Sequence, residues 1–340
     1  MTAAYSAAHE GCKVVIICPD KTIGGMTTGG LGQTDIGNKQ AVIGVARQFY
    51  RKLGTHYGKL EQWLFEPHVA EEILMNYLDT PGIKLMQGWY LDSGEKDGNR
   101  IKSITCTDRK GKNTTTIKAK QFIDCSYEGD LMAAAGVSYR VGREDNGEYG
   151  ETWNGFELLD LHQFPDGIDP FVEPGNPESG LLWGISDAKE KENGTGDNCV
   201  QAYNYRICLT DQPDNMIPIG KPERYDPAKG RVCQSAGSCV PLRIPHRLRS
   251  IRMEPVLMGM GQVAGLAAAM AGKGAVQTID VSEIQRILKE DPFLDGKEPE
   301  TLIDEDSEYI VGKDGWDVVR EMALMEGLIS NTMATLLITT

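Results

Sequence analysis

The sequence predicts an α/β fold with an antiparallel β meander and a loop-rich middle, and three stretches carry that expectation. Lys13-Val14-Val15-Ile16-Ile17-Cys18 is a β-branched run that reads as a buried strand. A small-residue helix precedes it and a glycine-rich loop follows it, and helix, turn, strand, glycine loop is the middle of a βαβ unit. Pro255–Ala271 reads as an apolar helix with a glycine and alanine face. Between Ile83 and Cys125, short β-rich runs alternate with turn residues, which suggests a meander.

The elements follow in order. Thr2 to His9 is small and apolar and reads as the end of a helix, and Gly11 turns the chain. After the strand comes the loop Ile23-Gly24-Gly25-Met26-Thr27-Thr28-Gly29-Gly30-Leu31-Gly32. A helix is expected around Val45–Leu53. Another is expected over Pro67–Leu78, with Val69, Ile73, Leu74 and Tyr77 on one face, ended by Pro81-Gly82. The meander strands are Ile83–Met86, Trp89–Leu91, Ile101–Thr107, Thr114–Ile117 and Gln121–Cys125. Gly129–Ala135 reads as a short helix. From Gly136 to about Gly230 the chain is rich in Gly, Pro, Asn and Asp, as a loop-heavy cap region would be. Asp280 caps a last helix that runs to Leu288, and the acidic stretch Lys297–Glu308 reads as a linker or a new module.

Composition narrows the function. At 340 residues with 40% apolar residues, the chain can bury one large core or two ordinary ones. A formal charge of −14 argues against nucleic acid and anionic membranes as partners. No apolar run approaches the ~18 residues of a membrane helix. The eight cysteines form no C-x-x-C pair, and the five histidines show no metal spacing, so no metal is expected. The cysteines do not report the compartment, and the residue spacing names no catalytic base.

Four places carry candidate chemistry. A dinucleotide site needs a tight glycine turn at a helix N-terminus, and the G-x-G-x-x-G fingerprint that should precede Thr2–His9 is not in this sequence. The second strand should end in an acid for ribose hydroxyls, but here it ends Cys18-Pro19-Asp20. Cys18 cannot do an acid's work, and Asp20 is either a strand terminus or a late substitute. Gly24-Gly25-Met26 allows close backbone approach to a flat or anionic ligand, or is simply a flexible loop. Glu128 and Asp130, around Gly129, stand at the positive end of a short helix as caps or as acceptors for ligand hydroxyls. Arg252-Met253-Glu254-Pro255 opens the glycine–alanine helix. That helix either packs tightly in a core or aims its N-terminus at the electron-rich edge of a cofactor.

Together, AAYSAA, IGGMTTGGLGQTDIGNKQAVIG, FEPHVAE, FIDCSYEGDLMAAAGVSYRVGRE, QAYNYRICLTD and SIRMEPVLMGMGQVAG resemble the family of FAD-dependent oxidoreductases whose members are often labelled xanthan lyases. The resemblance covers most of residues 1–228 and 250–290. It implies a discontinuous Rossmann-like FAD domain from 1–140 and 250–290, incomplete here, with a partial substrate or cap region over 141–230. By position it puts Gly24, Gly25 and Met26 beside FAD, and Glu128, Gly129 and Asp130 near it. It has Arg252, Met253 and Gly261 frame the helix that faces the flavin. It also implies a small-molecule substrate, carbohydrate-related if the label holds.

The departures from the family are specific. Met1 stands where the family's AGVTAAYSAA has Val, so the chain is expected to begin inside a longer reading frame, and Cys18 replaces the usual Glu. Residues 231–249 show no periodicity and read as an out-of-frame junction. Residues 296–340 read as a linker and the remnant of a golvesin-like β-sandwich, with reading-frame slips near 231, 249 and 320. An FAD enzyme moving hydride to or from an organic substrate is therefore expected, with a non-catalytic fragment of one as the alternative. A carbohydrate lyase ranks below both, because the chain lacks a paired Tyr/His/Arg constellation.

Overall fold

The computed structural model describes residues 1–36, 38–158, 167–183, 185, 187, 189–200, 212–218, 220, 223–224, 253–290 and 335–339. Arg252, the junction at 231–249 and the acidic stretch 297–308 lie outside the described residues. The described residues of Met1–Tyr139 and Ile251–Thr340 form one compact unit, and those of Arg140–Tyr205 and Leu209–Ser250 form another.

In the first unit, α1 (Thr2–His9) leads into β1 (Lys13–Cys18). Helices α2 (Gly44–His56) and α3 (Pro67–Leu78) follow the glycine loop. Next come β2 (Ile83–Gln87), β3 (Trp89–Asp97), β4 (Arg100–Asp108), β5 (Thr114–Lys118), β6 (Gln121–Ile123) and the one-turn α4 (Asp130–Ala134). The long helix α5 (Glu254–Ala271) and α6 (Val281–Glu290) come later. Asp280 Oδ1 accepts the Ser282 N–H at 2.9 Å at the head of α6, so the expected cap is present.

The expected five-strand meander is corrected to three strands. β3, β4 and β5 pair antiparallel, but β2 pairs parallel with β1, Val14 opposite Ile83. β6 also joins the main sheet. The reason is long-range. Gly82 O accepts the Val14 N–H at 2.8 Å, and the left-handed Gly82 comes so near Cys12 O that a side chain there would crowd it. This bond continues the parallel pairing of β2 with β1. The main sheet runs β2, β1, β9 (Thr335–Thr339), β6. β9 lies antiparallel to both neighbours.

Two of the apolar clusters hold α1, α2 and α3. Val45, Phe49, Tyr50 and Leu53 of α2 pack with Val69, Ile73, Leu74 and Tyr77 of α3, all buried, and Met258 of α5 joins them. Ala3, Ala4, Ala7 and Ala8 of α1 pack on Val14 and Ile16 of β1 and on Ala268 of α5. The helices α1 and α5 meet with almost no side-chain spacer. A Cβ on Gly261 would collide with Thr2 Oγ1, and one on Gly265 would collide with the Ala3 carbonyl. In the second unit, the described residues include a hairpin of β7 (Phe171–Glu173) and β8 (Asn176–Leu181) and a bridge from Arg143 to Asp197. No helix among the described residues is long and apolar enough to cross a membrane.

Candidate functional site

The glycine loop is shaped by its own backbone. Gly24 and Gly25 both take positive φ, 113° and 61°, which only glycine adopts at little cost, and a 3-10 turn spans Gly25–Thr27. Thr28 closes the turn by donating its hydroxyl to Ile23 O at 2.8 Å, and Gly29 N donates to Gly25 O at 2.9 Å. The loop is seated on α3, because a Cβ at Gly24 would meet Leu74 Cδ1 at 2.9 Å. Met26 is left half exposed at its tip.

At the end of β1, Cys18 points its thiol at the carbonyls of Asp20 and Thr22, 3.6 and 3.7 Å away. Burial pushes that thiol's pKa up, so it stays neutral and does not replace the missing acid. Asp20 is exposed beyond it.

The second loop is organised by Asp124, just past β6 and buried at 5% exposure. Its Oδ1 accepts from Ser126 N at 2.9 Å and Ser126 Oγ at 2.6 Å. Its Oδ2 accepts from Leu131 N and Met132 N, both at 3.0 Å, and so caps α4 from six residues upstream. Gly129, at φ 69°, starts α4 and donates to Ser126 Oγ at 2.9 Å. Glu128 and Asp130 are held outward and exposed. Asp130 lies in the first turn of α4, where the helix dipole favours a carboxylate.

The two loops meet through Tyr127. Its hydroxyl accepts the Met26 N–H at 2.9 Å and fills the space that a Cβ on Gly25 would need. Thus Gly25 and Met26 meet Tyr127, the residue just before Glu128, Gly129 and Asp130. Met253 and Gly261 lie elsewhere in this unit. Met253 is the extended N-cap of α5, Glu254 behind it is buried, and the helix packs on α1 and α2. Gly261 faces Thr2 of α1, so a helix contact accounts for its lack of a side chain. Residue spacing did not single out Tyr127 or Asp124. An Asp at a strand end with Ser two places on and a helix start just beyond is the signal that finds Asp124.

In the second unit, Arg140, Asp145, Lys191, Asp197 and Cys199 line an open cleft of about 690 Å³. Arg143 Nε donates to Asp197 Oδ1 at 2.8 Å and Nη2 donates to Oδ2, while Lys191 Nζ reaches Oδ2 at 3.1 Å. Among the described residues no group of three or more His, Cys, Asp or Glu could hold a metal ion.

The glycine turn follows β1 and the carboxylate-bearing loop follows β6, two strands of one α/β sheet in which β1 and β2 run parallel. Residues 1–242 and 247–288 match the model of the family described as FAD dependent oxidoreductase, and the chain belongs to that family. FAD is its cofactor. The match runs through much of the 231–249 stretch, leaving out 243–246. Among solved structures, Thermovibrio ammonificans THI4 aligns at 18% identity over 46% of this chain and 69% of that one, with a TM-score of 0.31. A likeness that loose carries no argument. No curated protein matches.

The residues present fit FAD on one count, exposed carboxylates for its hydroxyls. The room that glycine leaves at positions 24 and 25 is taken by Thr28, Leu74 and the Tyr127 hydroxyl. Glu128 and Asp130, next along the chain from Tyr127, are exposed carboxylates that can accept from ligand hydroxyls.

Proposed function

We propose that this chain oxidises or reduces a small organic molecule with FAD, which supplies two-electron chemistry when bound. The observation that carries the reading is the Tyr127 bridge, which joins the two loops that the family resemblance places beside FAD. In this reading Gly24, Gly25 and Met26 approach the cofactor through their backbone. Glu128 and Asp130 accept hydrogen bonds from its hydroxyls. Met253 is the N-cap of α5, whose N-terminal dipole favours negative charge at the flavin edge, and Arg252 precedes it in sequence as a further contact to the flavin. The loop-rich second unit takes the substrate. Its cleft mixes Arg140 and Lys191 with Asp145, which suits a polar, hydroxyl-rich molecule, and the xanthan lyase label of similar sequences favours a carbohydrate-related one.

The test is anaerobic mixing of the purified, FAD-loaded full chain with sugars, uronic acids and hydroxy acids. Loss of the oxidised flavin absorbance on adding one of them is the expected result. A flavin that stays oxidised with all of them, while dithionite still bleaches it, defeats the catalytic reading and leaves a chain that binds FAD without using it.

A further inference from the structure

Gln262 lies in the middle of α5 and is buried at 1% exposure. Its Oε1 accepts the Val45 N–H at 3.1 Å, across 217 residues of sequence. Val45 is in the first turn of α2, whose N-cap residue Ile43 supplies no side-chain cap. Helix α5 therefore provides the cap that α2 lacks.

Two further facts show how closely this contact is built. Gly44 takes φ +62°, and a Cβ there would collide with Gln262 Oε1. The other half of the amide, Nε2, is buried with no hydrogen-bond partner among the described residues. The amide cannot be turned over, because only its oxygen can accept from Val45 N–H. A buried unpaired donor costs free energy that a leucine of similar size would not. Glutamine at this place is explained by the cap and not by packing.

The cap acts on the chain that runs from the glycine loop to α2. Within the described residues of 29–43, Thr34 Oγ1 and Tyr50 Oη are 2.9 Å apart, and Arg47 Nη1 donates to Lys39 O and Val42 O at 3.2 and 3.3 Å. Gln262 holds the far end of this stretch, and Thr28 holds its near end at the glycine loop.

We infer that Gln262 is a positioning residue. By capping α2 from α5 it fixes the stretch 29–43, and through it the glycine loop, relative to the helix that faces the flavin. The consequence for FAD rests on the reading proposed above, whereas the cap itself does not.

The test uses the full chain and three variants, read by amide hydrogen exchange and by FAD titration below the melting range. Gln262→Leu removes the cap and should speed exchange over 29–45 by about fivefold or more and weaken FAD binding by a similar factor. Gln262→Glu keeps an oxygen facing the Val45 N–H and should restore both to within roughly twofold. Leu266→Ala, in the separate cluster with Ala267 and Ile284, should lower the melting temperature and leave both readouts as in the parent. Unchanged exchange over 29–45 in Gln262→Leu overturns the inference. So does equal loosening by Leu266→Ala, or faster exchange with no change in FAD affinity. A parent that binds no FAD defeats the FAD reading alone, and the exchange data then decide the cap.

Discussion

Tyr127 accepts a hydrogen bond from the Met26 amide at 2.9 Å, and this bond ties together loops 101 residues apart in sequence. The tyrosine hydroxyl covers the glycine backbone of one loop, and the other loop carries exposed carboxylates. Their conformations depend on each other, because the tyrosine hydroxyl stands where any Gly25 side chain would go.

Tyr127→Phe should weaken FAD binding. It removes one hydrogen bond at an exposed site, so the loss is about 0.5–1.5 kcal/mol, or roughly two- to tenfold in Kd. Flavin fluorescence titration measures it, and the melting temperature without FAD should stay close to the parent's.

Gly25→Ala should cost more. The φ of 61° strains any L-residue by about 1–2 kcal/mol, and the new methyl also displaces the Tyr127 hydroxyl. FAD affinity should fall at least roughly tenfold. In the double variant with Tyr127→Phe, the two losses should be less than additive, because both act on one contact.

Asp124→Ala should destabilise the fold by about 2–4 kcal/mol, since four donors lose their acceptor in a buried place. Thermal melts check this. Asp124→Asn keeps one oxygen and should recover about half of the loss.

Glycines on α5 should divide by what lies opposite them. Gly265→Ala drives a methyl into the Ala3 carbonyl and should cost about 1–3 kcal/mol. Gly259→Ala meets open space and should stabilise by about 0.5–1 kcal/mol through helix propensity. Opposite shifts in melting temperature are the readout.

Asp197→Asn should lose stability near neutral pH and lose less in acid. The side-chain hydrogen bonds from Arg143, helped by the Cys199 amide and Lys191, hold the Asp197 carboxyl well below the usual carboxylate range. A depressed carboxyl contributes stability that is complete above the unfolded value of about 3.9 and fades as pH falls toward the folded one. Urea midpoints of parent and variant should therefore differ at about pH 7 and converge well below about pH 3.

Much of this fold is legible in local patterns. The strand at 13–18, the helices at 67–78 and from 254 onward, and the Asp280 cap all follow from periodicity and end signals that act within a few residues. The site is less legible, because its decisive contacts are long-range. Gly24 to Met26 and Glu128 to Asp130 stand out in the sequence, but nothing within ten residues of Tyr127 shows that its hydroxyl belongs to Met26. For the same reason Ile83–Met86 resembles a meander strand until Gly82 pairs with Val14, and Gln262 resembles any polar residue on a helix until Val45 claims it. Gly261 shows the converse. Its smallness suits a cofactor or a helix equally, and only the fold sets it against Thr2.

The most direct test of the central claim is titration of FAD into the purified full chain and its Gly25→Ala variant, followed by absorbance and melting temperature. The account predicts a yellow parent with one flavin per chain. At about 100 times Kd, FAD should stabilise the parent by about 2.7 kcal/mol, and it should stabilise the variant much less at the same concentration. A colourless parent whose melting temperature does not move with FAD, or a variant that binds FAD as tightly as the parent, would contradict it.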